Sequence, residues 1–191
     1  MSMSRVIGIA GLFVGLVLGA GGVQAVSTDA DGTYTVTVTK VEVSKDGGAT
    51  YTTLFDGSQA INIAAVDAGA VAAGLASGAA LETGIYNTIR VTIGSTLLAK
   101  GYVNSGSDTV YTNGSGSATN SGATSTPGAG YATSTYTIPE ANRIKTTTGL
   151  SISVELGKGP TVTVKFDTSG VLSQTGGTII PGEPSVTISS R

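Results

Sequence analysis

The chain has 191 residues, a length that suits one domain with its own core, and its ten basic and twelve acidic residues give a formal charge of −2. The basic residues are scattered singly, which excludes the clustered Lys/Arg surface that nucleic-acid binding requires. With no Cys and no His, the chain lacks disulfides, thiol catalysis, serine triads and imidazole metal sites; 29 Gly beside frequent Thr and Val point to an all-β fold.

Arg5 is the first charge and Asp29 the next. Residues 6–20 between them are apolar and Gly-rich, and Val23-Gln24-Ala25 sets small residues at the −3 and −1 positions of a cleavage site after Ala25. This is the layout of a secretory signal over residues 1–25, with a hydrophobic helix expected across residues 6–20, and it predicts a secreted or cell-surface protein. Such a helix reaches about 22 Å, short of the roughly 30 Å hydrocarbon core. Extended to Val26 it would span that thickness, so a membrane is an expected partner only where the segment is retained.

Residues 26–191 are expected to form one domain, an antiparallel β-sandwich. Residues 33–43 alternate with period two, and Tyr34, Val36 and Val38 differ in parity from Val41 and Val43. A bulge near Thr39-Lys40 would turn all five inward. Lys45-Asp46-Gly47-Gly48 reads as a hairpin turn leading to strands at residues 50–55 and 59–64. A short helix is expected over residues 68–75, then strands at 85–93, with Ile85, Ile89, Val91 and Ile93 on one face, and at 96–103. Residues 104–135 form a Ser/Gly/Thr-rich insertion, either mobile or a projecting hairpin. Strands resume at residues 136–138, 150–156, 160–166 and 185–188.

The order of these segments resembles a family of secreted bacterial and archaeal domains of unknown function. The resemblance rests on the Val/Thr-rich strand at residues 35–43, the short strand at 51–55, and a Gly-x-Tyr-x-x-Ile-Arg-x-x-Ile pattern at Gly84, Tyr86, Ile89, Arg90 and Ile93. It closes with Val164, Phe166 and Asp167 and a Pro-led last strand after Pro181 and Pro184. The chain departs from the pattern in having no Trp near Tyr51. The resemblance implies an immunoglobulin-like or transthyretin-like sandwich at the cell surface and carries over no catalytic or binding residues.

Carboxylates remain as the only candidate acid–base pairs: Glu42, Asp46, Glu82, Glu140, Glu155 and Asp167. Glu42 and Glu155 sit in alternating strands and are expected on the solvated face, so no catalytic residue is assigned. Asp29-Ala30-Asp31-Gly32 has the Asp-x-Asp-Gly look of a calcium loop, which makes Asp29 and Asp31 the candidate metal ligands and Ca²⁺ the one cofactor to consider. A polar linker after the signal accounts for the same residues more simply. Asn113-Gly114-Ser115 is a glycosylation sequon. Tyr102, Tyr111, Tyr131 and Tyr136 border or occupy the polar tract and are the candidate ligand contacts, since aromatic faces stack on sugars.

The expected function is that of a non-catalytic extracellular structural protein, a surface or filament-forming subunit. It would form homo-oligomers or polymers by donating residues 33–43 to a neighbour. The alternative is a glycan-binding or adhesion module with cell-surface glycans as partners.

Overall fold

The computed structural model describes residues 15–20, 30–64, 81–105, 108–114, 118–120, 130–156, 161–175 and 178–190. These form twelve strands joined by turns and irregular stretches, with one 3₁₀ turn at Glu140–Asn142. In chain order the strands are β1 (Gly15–Ala20), β2 (Ala30–Ser44), β3 (Thr52–Asn62), β4 (Gly84–Ser105), β5 (Asp108–Thr112), β6 (Ala118–Asn120), β7 (Ser134–Thr137), β8 (Ile144–Val154), β9 (Thr161–Asp167), β10 (Leu172–Thr175), β11 (Thr178–Pro181) and β12 (Ser185–Ser190). The helix expected over residues 68–75 lies outside the described residues.

The 22-residue strand β4 organises the larger sheet. It pairs with β2 along one edge, and along the other with β8, β7 and β5 in turn, all antiparallel. The gap between β8 and β7 is bridged by backbone hydrogen bonds from Ile93 N to Arg143 O at 2.9 Å and from Ile138 N to Ser95 O at 2.8 Å. The two strands expected at residues 85–93 and 96–103 are therefore one element, and those expected at 50–55 and 59–64 merge likewise into β3. β3 closes one end of this seven-stranded sheet. A second sheet has the order β1-β9-β12, and β10-β11 make a separate hairpin.

The shift of parity in β2 is resolved by a bulge where the sequence requires one. The ladder to β3 slips between Val38 and Lys40, so Tyr34, Val38, Val41 and Val43 are all buried. In β4 a bulge between Tyr86 and Thr88 corrects the expected facing: Tyr86 turns inward and Ile85 is 59 % exposed. Buried residues of β2, β3, β4, β5 and β8 join Val162 and Val164 of β9 and Leu172 and Ile179 of the β10-β11 hairpin in one apolar cluster.

The described parts of the tract at residues 104–135 include segments tied to this body. β4 and β5 form a hairpin with Tyr102 opposite Tyr111 and Val103 opposite Val110, and Val103 and Val110 enter the core. Thr112 Oγ1 donates to Ala132 O at 2.7 Å and Ala132 N donates to Thr112 O at 3.0 Å, so the returning chain lies against β5.

The hydrophobic helix expected over residues 6–20 is not formed at its described end. Gly15–Ala20 is instead the strand β1, in parallel register with β9 from Gly15↔Thr161 to Ala20↔Phe166. Two glycines in six residues weaken a helix, while an open β9 edge satisfies the backbone of an extended Leu-Val-Leu segment. Among the described residues no helix is long and apolar enough to cross a membrane.

Candidate functional site

Three of the four tyrosines are brought together. The rings of Tyr102 and Tyr111 are 5.7 Å apart and tilted by 47°. Tyr131 meets Tyr111 edge-on at 5.1 Å, and Lys100 Nζ sits 4.5 Å from the centre of the Tyr131 ring. This is not the open platform the sequence suggests. Tyr111 is 2 % exposed, and Tyr102 and Tyr131 are half-buried, so the cluster is chiefly a small aromatic core that fastens residues 130–134 to the β4-β5 hairpin. Tyr136 stands elsewhere, on β7 opposite Leu97 of β4, half-buried, with its hydroxyl pKa raised by burial and Ser134 acting against that shift.

Of the proposed calcium ligands, Asp29 lies outside the described residues and Asp31 belongs to β2. Among the described residues no three carboxylates gather where a metal ion could be held. Asn113 forms an isolated parallel bridge with Ala132, which places the sequon where the tract docks onto the body.

Glu42 is corrected from a solvated position to a buried one, at 5 % exposure. It lies on the outer face of β2, where Arg90 is its register partner on β4. Arg90 Nε donates to Glu42 Oε2 at 2.8 Å and Lys40 Nζ reaches Oε1 at 3.0 Å, while the Arg90 guanidinium stacks 3.6 Å from the centre of the Tyr51 ring. The hydrogen bond from Arg90 holds the Glu42 carboxyl below the usual range against the opposing effect of burial, and Glu42 in turn raises Arg90. Every oxygen of this carboxylate is engaged, so the trio is a cross-strand clamp with no free acid or base.

The turn at residues 45–48 is equally self-contained. Gly47 and Gly48 take φ of 72° and 97°, and the Asp46 carboxylate accepts from Ser44 Oγ at 2.6 Å and from Thr50 N and Oγ1 at 2.9 and 2.6 Å. Asn87, at the β4 bulge, accepts from Gly47 N at 3.0 Å and donates to Lys45 O at 2.9 Å, which locks the hairpin to the strand beside it. These bonds, that from Ser44 foremost, hold the Asp46 carboxyl well below its ordinary value. A depressed folded pKa adds stability that is present above the unfolded value and lost as pH falls through the folded one. Asp46→Asn is thus expected to lower the denaturant midpoint at pH 7, with the gap to the parent narrowing as pH falls below about 3.9.

A cavity of about 290 Å³ lies between the two larger sheets. Val36, Val38, Val41, Ile89, Val91 and Ile93 line one wall and Val164, Phe166, Val186 and Ile188 the other. The polar lining is Lys145, Thr146, Thr147 and Glu183, with Lys145 Nζ and Glu183 Oε2 ion-paired at 2.7 Å. Nothing in this lining converges polar groups on a reacting atom, and the space is an under-filled part of the core. Val91→Ile adds one methylene here and is expected to stabilise the fold by about 0.8 kcal/mol, seen as a higher denaturant midpoint at unchanged m-value.

The feature that residue-by-residue reading misses is the edge of β9. In the described structure that edge is filled by β1. The strands of this sheet carry a signal in sequence, since Thr161-Val162-Thr163-Val164-Lys165-Phe166 and Ser185-Val186-Thr187-Ile188 alternate strictly, but alternation does not say which strand ends a sheet.

Set against known proteins, residues 25–180 match a family described as a domain of unknown function (DUF4382). No curated protein and no solved structure matches the chain. β1 and β12 fall outside the matched range. The match runs from just before β2 into β11 and takes in most of the chain, which belongs to this family of unknown function.

Proposed function

We propose that the protein is a non-catalytic, extracellular structural subunit, an immunoglobulin-like or transthyretin-like β-sandwich that builds a surface layer or filament. The observation that carries this reading is the β1-β9-β12 sheet, in which a strand from the export-signal-like segment covers one side of β9 and β12 ends the sheet on the other. Removal of that segment on export exposes the β9 edge, opposite the edge of β12 in the same sheet, and exposed edges pair. We base the assembly on the β9-β12 sheet rather than on donation of residues 33–43, since β2 is hydrogen-bonded on both sides, to β3 and to β4. The engagement of Glu42 and Asp46 in structural hydrogen bonds is in keeping with a role without catalysis.

A glycan-binding module is the alternative. It draws on Tyr102, Tyr111 and Tyr131, but a buried Tyr111 and a Tyr131 ring beneath Lys100 offer little open aromatic face for a sugar. Electron microscopy of material sheared from producing cells, with the subunit identified by mass spectrometry, separates the two readings. Polymers containing this chain are expected; discrete monomers that bind a glycan array would support the alternative.

A further inference from the structure

β12 is an edge strand without the usual defences. Edges are commonly blunted by Lys, Pro or a bulge that twists the strand away. β3, the edge of the seven-stranded sheet, has two register breaks in its ladder and carries Asp56. β12 reads Ser-Val-Thr-Ile-Ser-Ser, with no charge, Pro or Gly. Its ladder to β9 runs unbroken from Ser185↔Asp167 to Ser190↔Val162, and Val186 is 46 % exposed. A short, uncharged, Pro-free segment of this kind is the signature of a strand that pairs with another chain.

From this we infer that β12 of one copy pairs with the β9 edge of the next, and that β1 caps that edge until it is cut away. The inference rests on the reading above and assigns its contact surfaces. Hydrolysis of the Ala25–Val26 peptide bond by an export peptidase, with water as the only co-reactant, leaves a carboxylate on Ala25 and an amine on Val26. β1 is then no longer joined to the rest of the chain through the backbone, and its release from β9 frees that edge.

β9 and β12 are antiparallel within a copy, so copies related by translation place β12 antiparallel to the next β9. Two different edges meet, which makes the contact heterologous and self-repeating: it grows an open polymer rather than closing a dimer. The lone cation of β9, Lys165, meets no charge on β12. The partner is therefore a second copy of this chain, and β1 blocks this β12-to-β9 contact for as long as it stays in place.

The test uses the full chain with a specific protease site placed between Ala25 and Val26, followed by light scattering before and after cleavage, with circular dichroism to follow the fold. The uncleaved chain is expected to stay monomeric and the cleaved chain to assemble while still folded. Thr187→Lys with Ser189→Lys, both at exposed positions of β12, is expected to abolish assembly at concentrations where the parent assembles. Val17→Cys with Thr163→Cys, at paired positions in a chain with no Cys of its own, ties β1 to β9. That variant is expected to remain monomeric after cleavage until a reductant is added. A cleaved chain that stays monomeric, that unfolds, or that assembles equally well when tied overturns the inference. Native polymers that ignore the tie would leave the structural reading standing without these contacts. Cleavage-dependent assembly of a protein found only as monomers on cells would do the reverse.

Discussion

Replacing Arg90 with alanine is expected to destabilise the fold by about 3 kcal/mol, because it strands a buried carboxylate. The Glu42 side chain is only 6 % exposed, and Arg90 Nε at 2.8 Å is its principal partner. Lys40 remains at 3.0 Å but is more open to water, so it compensates in part. The stack on Tyr51 goes as well. Denaturant unfolding at pH 7 reads the loss. Glu42→Gln combined with Arg90→Met removes both charges and is expected to recover most of it, which distinguishes a stranded charge from lost packing. The pH dependence has a definite sign. Glu42 has a folded pKa below its ordinary value of 4.5, so its contribution is present above that pH and lost as pH falls. The gap between parent and Arg90→Ala is therefore expected to shrink in acid.

The largest expected loss is at Tyr86. Tyr86→Ala should cost about 4 kcal/mol, a large share of the 5–15 kcal/mol that typically holds a domain together. The ring is 2 % exposed in the core cluster, and its hydroxyl donates to Glu82 O at 3.2 Å. Tyr86→Phe keeps the ring and loses only that bond, so it should cost about 1 kcal/mol. Thermal or denaturant melts of the two variants separate packing from hydrogen bonding. Near-equal losses would mean that the ring is less well packed than its burial implies.

Both residues belong to the Gly-x-Tyr-x-x-Ile-Arg pattern, and the structure gives each position a job. Tyr86 and Ile89 fill the core on either side of the bulge, and Arg90 leaves the core face to clamp Glu42 on the other. The spacing of three between Tyr86 and Ile89 does not suit a regular strand, in which inward positions are separated by two. It suits one whose ladder is interrupted between them: Asn87 alone stands opposite Gly149–Ser151 of β8, and its side chain holds the neighbouring turn.

What was legible in the sequence was local. The parity change in β2 dictated its bulge, Asp46-Gly47 dictated its hairpin, and Val/Thr alternation dictated most strands. Facing was harder. Period two places Glu42 opposite the core, with Lys40 beside it on the same strand, but is silent on whether Arg90 and Tyr51 cover it, since those neighbours come from elsewhere in the chain. The facing of Ile85 is hidden for a related reason, because the irregularity that reverses parity is marked by Gly149, at φ 74°, on the partner strand β8 and not by any residue near Ile85. Tyr111 looked like a surface residue among Ser, Gly and Thr, yet its strand pairs with β4, and that long-range pairing buries it. β1 was unreadable as a strand, because a six-residue apolar stretch fits a helix or a strand equally and only an available β9 edge decides.

The most direct test of the central claim is the intact mass of the subunit in native assembled material. If β1 is a removable cap on the β9 edge, the mass is that of a chain beginning at Val26. Assembled subunits whose mass still includes Met1 to Ala25 would contradict it.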